Sequence, residues 1–192
     1  MKAAKQIFLY VIFVSVFISC SNDEPKETTP LAIGDIHQGG IIFYLNSTGQ
    51  HGLVCALNDQ SAGAEWCSSV TEISGADGSK IGTGSQNTAD IVAGCGTPGS
   101  AADLCASLSL NSYDDWFLPS KDELNEMYLN KSVLDAAAQT NGGSSLANDA
   151  YWSSTELNVG SVSSAQIQDF SNVIQGSLTK FGTAHVRAIR AF

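Results

Sequence analysis

Positively charged residues are scarce in this chain of 192 residues. Nine lysines and arginines stand against nineteen aspartates and glutamates, and the formal net charge is −10. A surface of this sign repels nucleic acid and anionic membranes, because both present dense negative charge. We therefore expect no nucleic-acid partner. The same imbalance argues against the capture of sulfated glycans by bulk charge.

Motifs of the common enzyme classes are missing as well. The three histidines, His37, His51 and His185, are scattered and form no His-Glu-x-x-His zinc motif. The sequence contains neither a Gly-x-Ser-x-Gly nucleophile elbow nor a Walker loop. Gly82-Thr83-Gly84 is glycine-rich but lacks the lysine of a phosphate-binding loop. These absences predict a protein that is not an enzyme.

The apolar run near the start is too short to span a membrane. Ile7 to Ile18 covers 12 positions, whereas a helix that crosses the hydrocarbon core needs about 20 residues. The run follows Lys2 and Lys5 and ends just before Cys20. This order is typical of a bacterial lipoprotein signal peptide. We therefore expect residues 1–19 to be removed and Cys20 to carry the lipid, with an ordinary secretory signal as the alternative.

The residues after Cys20 predict the cellular location of the protein and a flexible tether. Residues 21–24, Ser-Asn-Asp-Glu, resemble the surface-export signal of Bacteroidetes lipoproteins. We expect a lipid-anchored protein of the bacterial outer membrane that faces outward, with the periplasmic face as the alternative. Residues 20–33 contain two prolines and read as a flexible tether. Residues 34–192 are then long enough for a single domain.

Four cysteines remain beyond the lipidation site. Their spacing contains no Cys-x-x-Cys pair, so a zinc site is not expected. Disulfides are the usual state of cysteines in an oxidising compartment. We predict short-range bonds, Cys55–Cys67 and Cys95–Cys105. The alternative joins Cys67 to Cys95 or to Cys105.

The hydrophobic pattern predicts an α+β fold rather than alternating strands and helices. The β-rich runs 39–45 and 52–57 flank a five-residue turn, which predicts a hairpin. The other predicted strands are 116–118, 151–154, 166–170 and 183–192. In the last of these, Arg187 and Arg190 are expected to pair with carboxylates.

Helices are predicted in the middle of the chain. Asn87 is expected to cap a helix that runs to Ala93, and residues 100–110 have helical apolar spacing. Residues 120–123, Ser-Lys-Asp-Glu, form a capping box. The helix that it opens is expected to present Leu124, Met127, Tyr128 and Leu134 on one face.

Five short motifs occur in an order that resembles a known family. They are Gly39-Gly40-Ile41-Ile42-Phe43-Tyr44-Leu45, Gly82-Thr83-Gly84-x-x-Asn87-Thr88, Asp115-Trp116-Phe117-Leu118-Pro119-Ser120-x-x-Glu123-Leu124, Tyr151-Trp152-Ser153-Ser154-x-Glu156 and Val186-Arg187-Ala188-Ile189-Arg190-Ala191-Phe192. This series resembles the Legionella-collagen-like C-terminal domain family, which is related to the C-type lectin-like superfamily. The resemblance implies a C-type lectin-like fold over residues 34–192. Such a fold has a small mixed antiparallel sheet, paired N- and C-terminal strands, two to three helices and long ligand-bearing loops.

Candidate ligand-binding residues are few. Trp66 lies in the predicted loop 58–80 and could stack on a sugar ring, whereas Trp116 and Trp152 are expected in the core. Asp77, in the same loop, is a further candidate for ligand binding, and the pair Asp114 and Asp115 could supply oxygen ligands for calcium. No Glu-Pro-Asn or Gln-Pro-Asp triplet accompanies them. We therefore predict no cofactor, and calcium binding is unsupported.

These observations predict a cell-surface lipoprotein of the adhesion type, which binds an extracellular glycan or protein. The binding surface is expected in the loops 58–80 and 139–149. The alternative is a structural component of a surface or pilus-like assembly, whose contacts would use an apolar patch or an edge strand. A third possibility is an enzyme of unknown reaction.

Overall fold

The computed structural model describes residues 29–159 and 162–192. The predicted signal peptide (residues 1–19), the predicted lipidation site Cys20 and most of the predicted tether lie outside the described residues. In the part that the structure describes, no helix is both long enough and apolar enough to cross a membrane. Over the described residues the fold is mixed α+β, as predicted, but it has two sheets where one was expected and four helices where two to three were expected. In chain order the elements are β1 (Ile36–His37), β2 (Gly40–Leu45), β3 (Gly52–Cys55), β4 (Ser61–Glu65), α1 (Gly84–Cys95), α2 (Ala101–Ala106), α3 (Lys121–Leu129), α4 (Lys131–Thr140), β5 (Ala150–Val159), β6 (Val162–Asp169), β7 (Gln175–Thr179), β8 (Thr183–Val186) and β9 (Ile189–Ala191).

The first sheet contains the predicted hairpin. Its strand order is β1-β2-β3-β9, and all neighbours are antiparallel. The turn between β2 and β3 is fixed by Asn46, whose side-chain oxygen accepts hydrogen bonds from the amide and hydroxyl of Thr48. Because β9 pairs with β3, the C-terminal strand returns to the N-terminal hairpin.

The second sheet has the order β4-β8-β5-β6-β7, and only β5 and β8 are parallel. Its two outer strands were not predicted. Residues 61–65, Ser-Ala-Gly-Ala-Glu, and 175–179, Gln-Gly-Ser-Leu-Thr, have few strong β-formers and lie mostly exposed. An edge strand buries little apolar surface, so it leaves a weak pattern in the sequence.

The helices differ in detail from the prediction. Helix α1 begins before Asn87, which lies inside it and donates from its side-chain amide to the Gly78 carbonyl at 2.6 Å. The capping box of α3 is confirmed, since the Ser120 and Glu123 side chains each bond the other residue's backbone amide. Leu134 was expected on the same helix face as Leu124. It belongs instead to α4, because α3 ends at Leu129.

The hairpin β2–β3 divides the core into two clusters. Successive side chains of a strand point to opposite faces. Ile42 and Val54 therefore pack into one cluster, which also contains the three tryptophans, and Ile41 and Phe43 pack into the other. Leu31 and Ile33, which fall in the predicted tether, pack against the first cluster.

Candidate functional site

The cysteines form one disulfide, Cys67–Cys95, with a Cα–Cα distance of 5.9 Å. The predicted short-range pairing is wrong, and one of the two alternatives is the bond that forms. Cys55 and Cys105 are free, buried and members of different core clusters. Burial raises the pKa of the Cys55 thiol to about 11 and that of Cys105 further. Both thiols therefore stay protonated and unreactive at neutral pH.

Trp66 is not a surface residue. Its exposed fraction is 0%, and its indole Nε1 donates to the Ser153 carbonyl oxygen at 2.8 Å. No face of the ring is open to a sugar, so the predicted stacking role of Trp66 is wrong. Trp116 and Trp152 are buried, as predicted.

The three candidate aspartates are exposed. Asp115 forms an ion pair with Arg190, whose guanidinium also lies over the Tyr113 ring at 3.9 Å from its centroid. Asp77 and Asp114 belong to no metal-binding group. Across residues 29–159 and 162–192, no three histidine, cysteine or acidic side chains are placed to hold a metal ion together.

A polar cluster around Asp59 is the strongest candidate site. Asp59 follows β3, and its Oδ1 accepts a hydrogen bond from Arg187 Nε at 2.6 Å. Its Oδ2 accepts from the Tyr151 hydroxyl at 2.8 Å and lies 2.9 Å from His185 Nδ1. We call these four residues the Asp59 cluster.

Arg187 connects the Asp59 cluster to two loops. Its Nη1 donates to the Ala56 carbonyl at 2.8 Å, and its Nη2 donates to the Ser144 carbonyl at 3.3 Å. The Ala147 amide donates to the Tyr151 hydroxyl at 2.8 Å. The start of segment 58–80 and segment 139–149 are therefore held together at this point.

The solvent exposure of the side chains increases from Arg187 outward. The Arg187 side chain is 1% exposed, Asp59 and His185 are 18% and 15% exposed, and Asp149 is 70% exposed. Burial, with the negative charge of Asp59 beside it, raises the pKa of Tyr151 above its usual range, so the phenol keeps its proton. His185 Nε2 faces the Asp149 carboxylate at 4.0 Å. We call His185 and Asp149, which lies just outside the cluster, the rim; both present hydrogen-bonding groups at the surface.

An open groove of about 500 Å³ lies between the end of α3, the start of α4 and Phe170, and Asn148 lines it from segment 139–149. Tyr128, at the end of α3, contributes an aromatic ring that meets Phe170 edge-on at 5.6 Å between centroids. Lys131 closes one side through bonds to Asp135 and to the Leu146 carbonyl. Asn148 supplies an exposed amide next to Asp149 of the rim. The groove therefore borders the rim through Asn148 and Asp149, which are consecutive in the chain.

A second buried ion pair supports segment 66–76. Lys180 pairs with Glu156 and donates to the Thr71 carbonyl at 2.8 Å, and its ammonium lies 4.9 Å from the Trp66 ring centroid. Glu156 Oε2 accepts from the Ile73 amide at 2.7 Å. These bonds fix a stretch that has no regular secondary structure.

The glycine-rich motif is structural. The Gly82 amide donates to Glu123 Oε1, and the Ser120 amide donates to Glu123 Oε2, at 2.8 and 2.7 Å. A Cβ at Gly84 would overlap Glu123 Oε2 and lie 2.8 Å from the Ser120 amide nitrogen. Burial raises the pKa of Glu123, and the amide donors oppose that shift. The motif therefore joins α1 to the start of α3 and holds no phosphate.

No protein-family model and no curated protein matches this chain. Sequence reasoning found Arg187 and its carboxylate pairing, but it missed Asp59, Tyr151 and His185 as site residues. Asp59 is 126 residues away from His185 along the chain, and no local pattern marks a pair at that separation.

Proposed function

We propose that this protein is a surface lipoprotein whose domain binds an extracellular ligand, a glycan or a protein, without covalent chemistry. The observation that carries the proposal is the joining of the two predicted binding loops at the Asp59 cluster. Because Arg187 and Tyr151 tie both loops, the rim is fixed before a ligand arrives. A site fixed in advance loses little conformational entropy on binding.

We also propose that the domain is of the C-type lectin-like type. The support is topological. The C-terminal strand β9 pairs with β3 of the N-terminal hairpin, and a long segment with little regular structure runs between β4 and α1. Both features accord with the resemblance carried by the five motifs.

Neutral sugars are the ligands that the surface suits best. The chain has a net charge of −10, so it attracts neither sulfated nor phosphorylated glycans by charge. Tyr128 lines the groove with an aromatic ring, a group that suits the apolar face of a pyranose ring. Asn148 and Ser132 offer hydrogen-bonding groups at the groove, and both are exposed. A protein ligand is the alternative.

Glycan-array binding by the full chain, with calcium and with a chelator, tests the proposal. Tyr128→Ala and Asn148→Ala should each weaken binding about tenfold, because each removes a contact of roughly 1.4 kcal/mol. Gln50→Ala is the matched control, since Gln50 is an exposed amide in the β2–β3 turn, outside the groove.

Three outcomes are informative. Binding that only the groove variants weaken supports a lectin-type site. Binding that neither variant weakens places the site elsewhere. If the folded chain binds no glycan, the glycan proposal fails and a protein ligand is favoured.

Protease digestion on intact cells tests the outward orientation, and complete protection would contradict it.

A further inference from the structure

Strand β7 is an open edge of the second sheet. Among the described residues it pairs with β6 alone. The Asp169 amide donates to the Ile174 carbonyl, and the Lys180 amide donates to the Ser163 carbonyl. Because hydrogen-bonded pairs alternate in an antiparallel ladder, the backbone groups of Gln175 and Ser177 point away from β6. They are free to pair with another strand.

The other outer strands carry features that prevent such pairing. Strand β4 has an irregular register between Ser61 and Ala64 and ends at the exposed Glu65. Strand β1 has only two residues. The outer edge of β9 is partly covered, because Ile189 forms an isolated antiparallel β-bridge with Phe117. Strand β7 has none of these features. Residues 171–179 contain no charged side chain in a chain of net charge −10.

The edge of β7 is complementary to itself. If two copies pair antiparallel about Ser177, Gln175 lies opposite Thr179, and Leu178 lies opposite Gly176, a large residue against a small one. The same two-fold axis brings Val173 of each copy towards Phe181 of the other. Val173 is 78% exposed and Phe181 is 45% exposed, so pairing would cover two exposed apolar side chains in each copy.

We propose that two copies of this chain associate through β7 and form a continuous sheet of ten strands with Ser177 on the two-fold axis. The interface is isologous, so it closes after two copies. Main-chain hydrogen bonds between the strands supply the association, and the Val173–Phe181 contacts fix the register. The proposal is independent of ligand binding, because β7 contributes no residue to the groove or to the Asp59 cluster.

Cysteine cross-linking of the full chain in membranes tests the pairing. Ser177→Cys should give a covalent dimer with a short bismaleimide, because the two new thiols face each other across the axis. Ala62→Cys is the matched control, since Ala62 is an exposed position on β4, at the opposite edge of the sheet. It should give only the background of random collision. The native thiols, Cys55 and Cys105, are buried and should not react.

Sedimentation of the detergent-solubilised full chain supplies a second readout. Ser177→Lys places two like charges on the axis and should convert dimer to monomer. Ser85→Lys, at an exposed position of α1, should leave the dimer unchanged. The proposal is overturned if Ser177→Cys cross-links no better than Ala62→Cys, if the unmodified chain is monomeric throughout, or if Ser177→Lys remains dimeric.

Discussion

Basic residues are few in this chain, and three of those that the structure describes are buried in the protein interior. Lys180, Arg187 and Arg190 are all buried, and each forms an ion pair with a carboxylate. Breaking a buried pair by removing one partner leaves an uncompensated charge in a medium of low dielectric constant. The stability of the interior therefore depends on a small number of ion pairs.

Asp59→Ala should lower the free energy of unfolding by about 3 kcal/mol, because Arg187 would lose its carboxylate partner while remaining buried. Urea denaturation measures the change. Asp149→Ala is the control, because that side chain is 70% exposed, and it should change stability by less than about 0.5 kcal/mol. Equal effects of the two substitutions would contradict the role of Asp59 as the anchor of both loops.

The ionisation of Glu123 should make stability depend on pH. Burial raises the pKa of its carboxyl group in the folded state, so the folded state favours the protonated form. Its contribution is fully present below the unfolded pKa of about 4.3 and is lost as the pH rises through the folded value. The stability difference between the unmodified chain and Glu123→Gln should therefore shrink from acidic to neutral pH. Paired urea titrations measure it, and a difference that grows with pH would refute the assignment.

At the scale of elements, helix α1 is held at both ends. Gly84, in its first turn, packs directly on Glu123 and the backbone before α3. Cys95, its last residue, is bonded to Cys67 in the segment that follows β4. Helix α1 has no side-chain N-cap bond, and these two attachments fix its ends.

Removal of the disulfide should be costly because it closes a loop across a sequence separation of 28 residues. The double variant Cys67→Ala and Cys95→Ala should lose about 3–4 kcal/mol of stability on the chain-entropy account. Reduction of the unmodified chain by a thiol reagent should produce the same loss in urea denaturation. The alternative pairing, Cys67–Cys105, is contradicted if peptide mapping of the oxidised chain finds the Cys67–Cys95 link.

At the scale of the whole molecule, one C-terminal segment joins both sheets. Strand β8 belongs to the second sheet and β9 to the first, and only Arg187 and Ala188 lie between them. Ala188 donates to the Gln60 side chain, and its carbonyl accepts from the Ala56 amide. The crossing point of the two sheets is thus also the point at which Arg187 supports the Asp59 cluster. The candidate site is positioned by the same contacts that hold the sheets together.

The Lys180–Glu156 pair acts across the second sheet, because it connects the β7–β8 turn to β5 and to segment 66–76. Lys180→Met alone should cost about 3–5 kcal/mol, since Glu156 would remain buried and unpaired. The double variant Lys180→Met and Glu156→Leu should be less destabilised than the sum of the two single variants. A double-mutant cycle in urea measures the coupling, and additive effects would show that the two side chains are not coupled.

The sequence by itself determined the features that depend on neighbouring residues. The hairpin β2–β3, the capping box at Ser120 and the short helix near residue 101 follow from alternation, turn residues and local hydrogen bonds. Tertiary structure alone decided the disulfide partner of Cys67, the burial of Trp66, the edge strands β4 and β7, and the Asp59 cluster. Except for β7, which pairs with the preceding strand β6, each of these joins residues tens of positions apart, up to 128 for Asp59 and Arg187. Whether a side chain is buried or paired depends on what the opposite element supplies, and local spacing carries no record of that element.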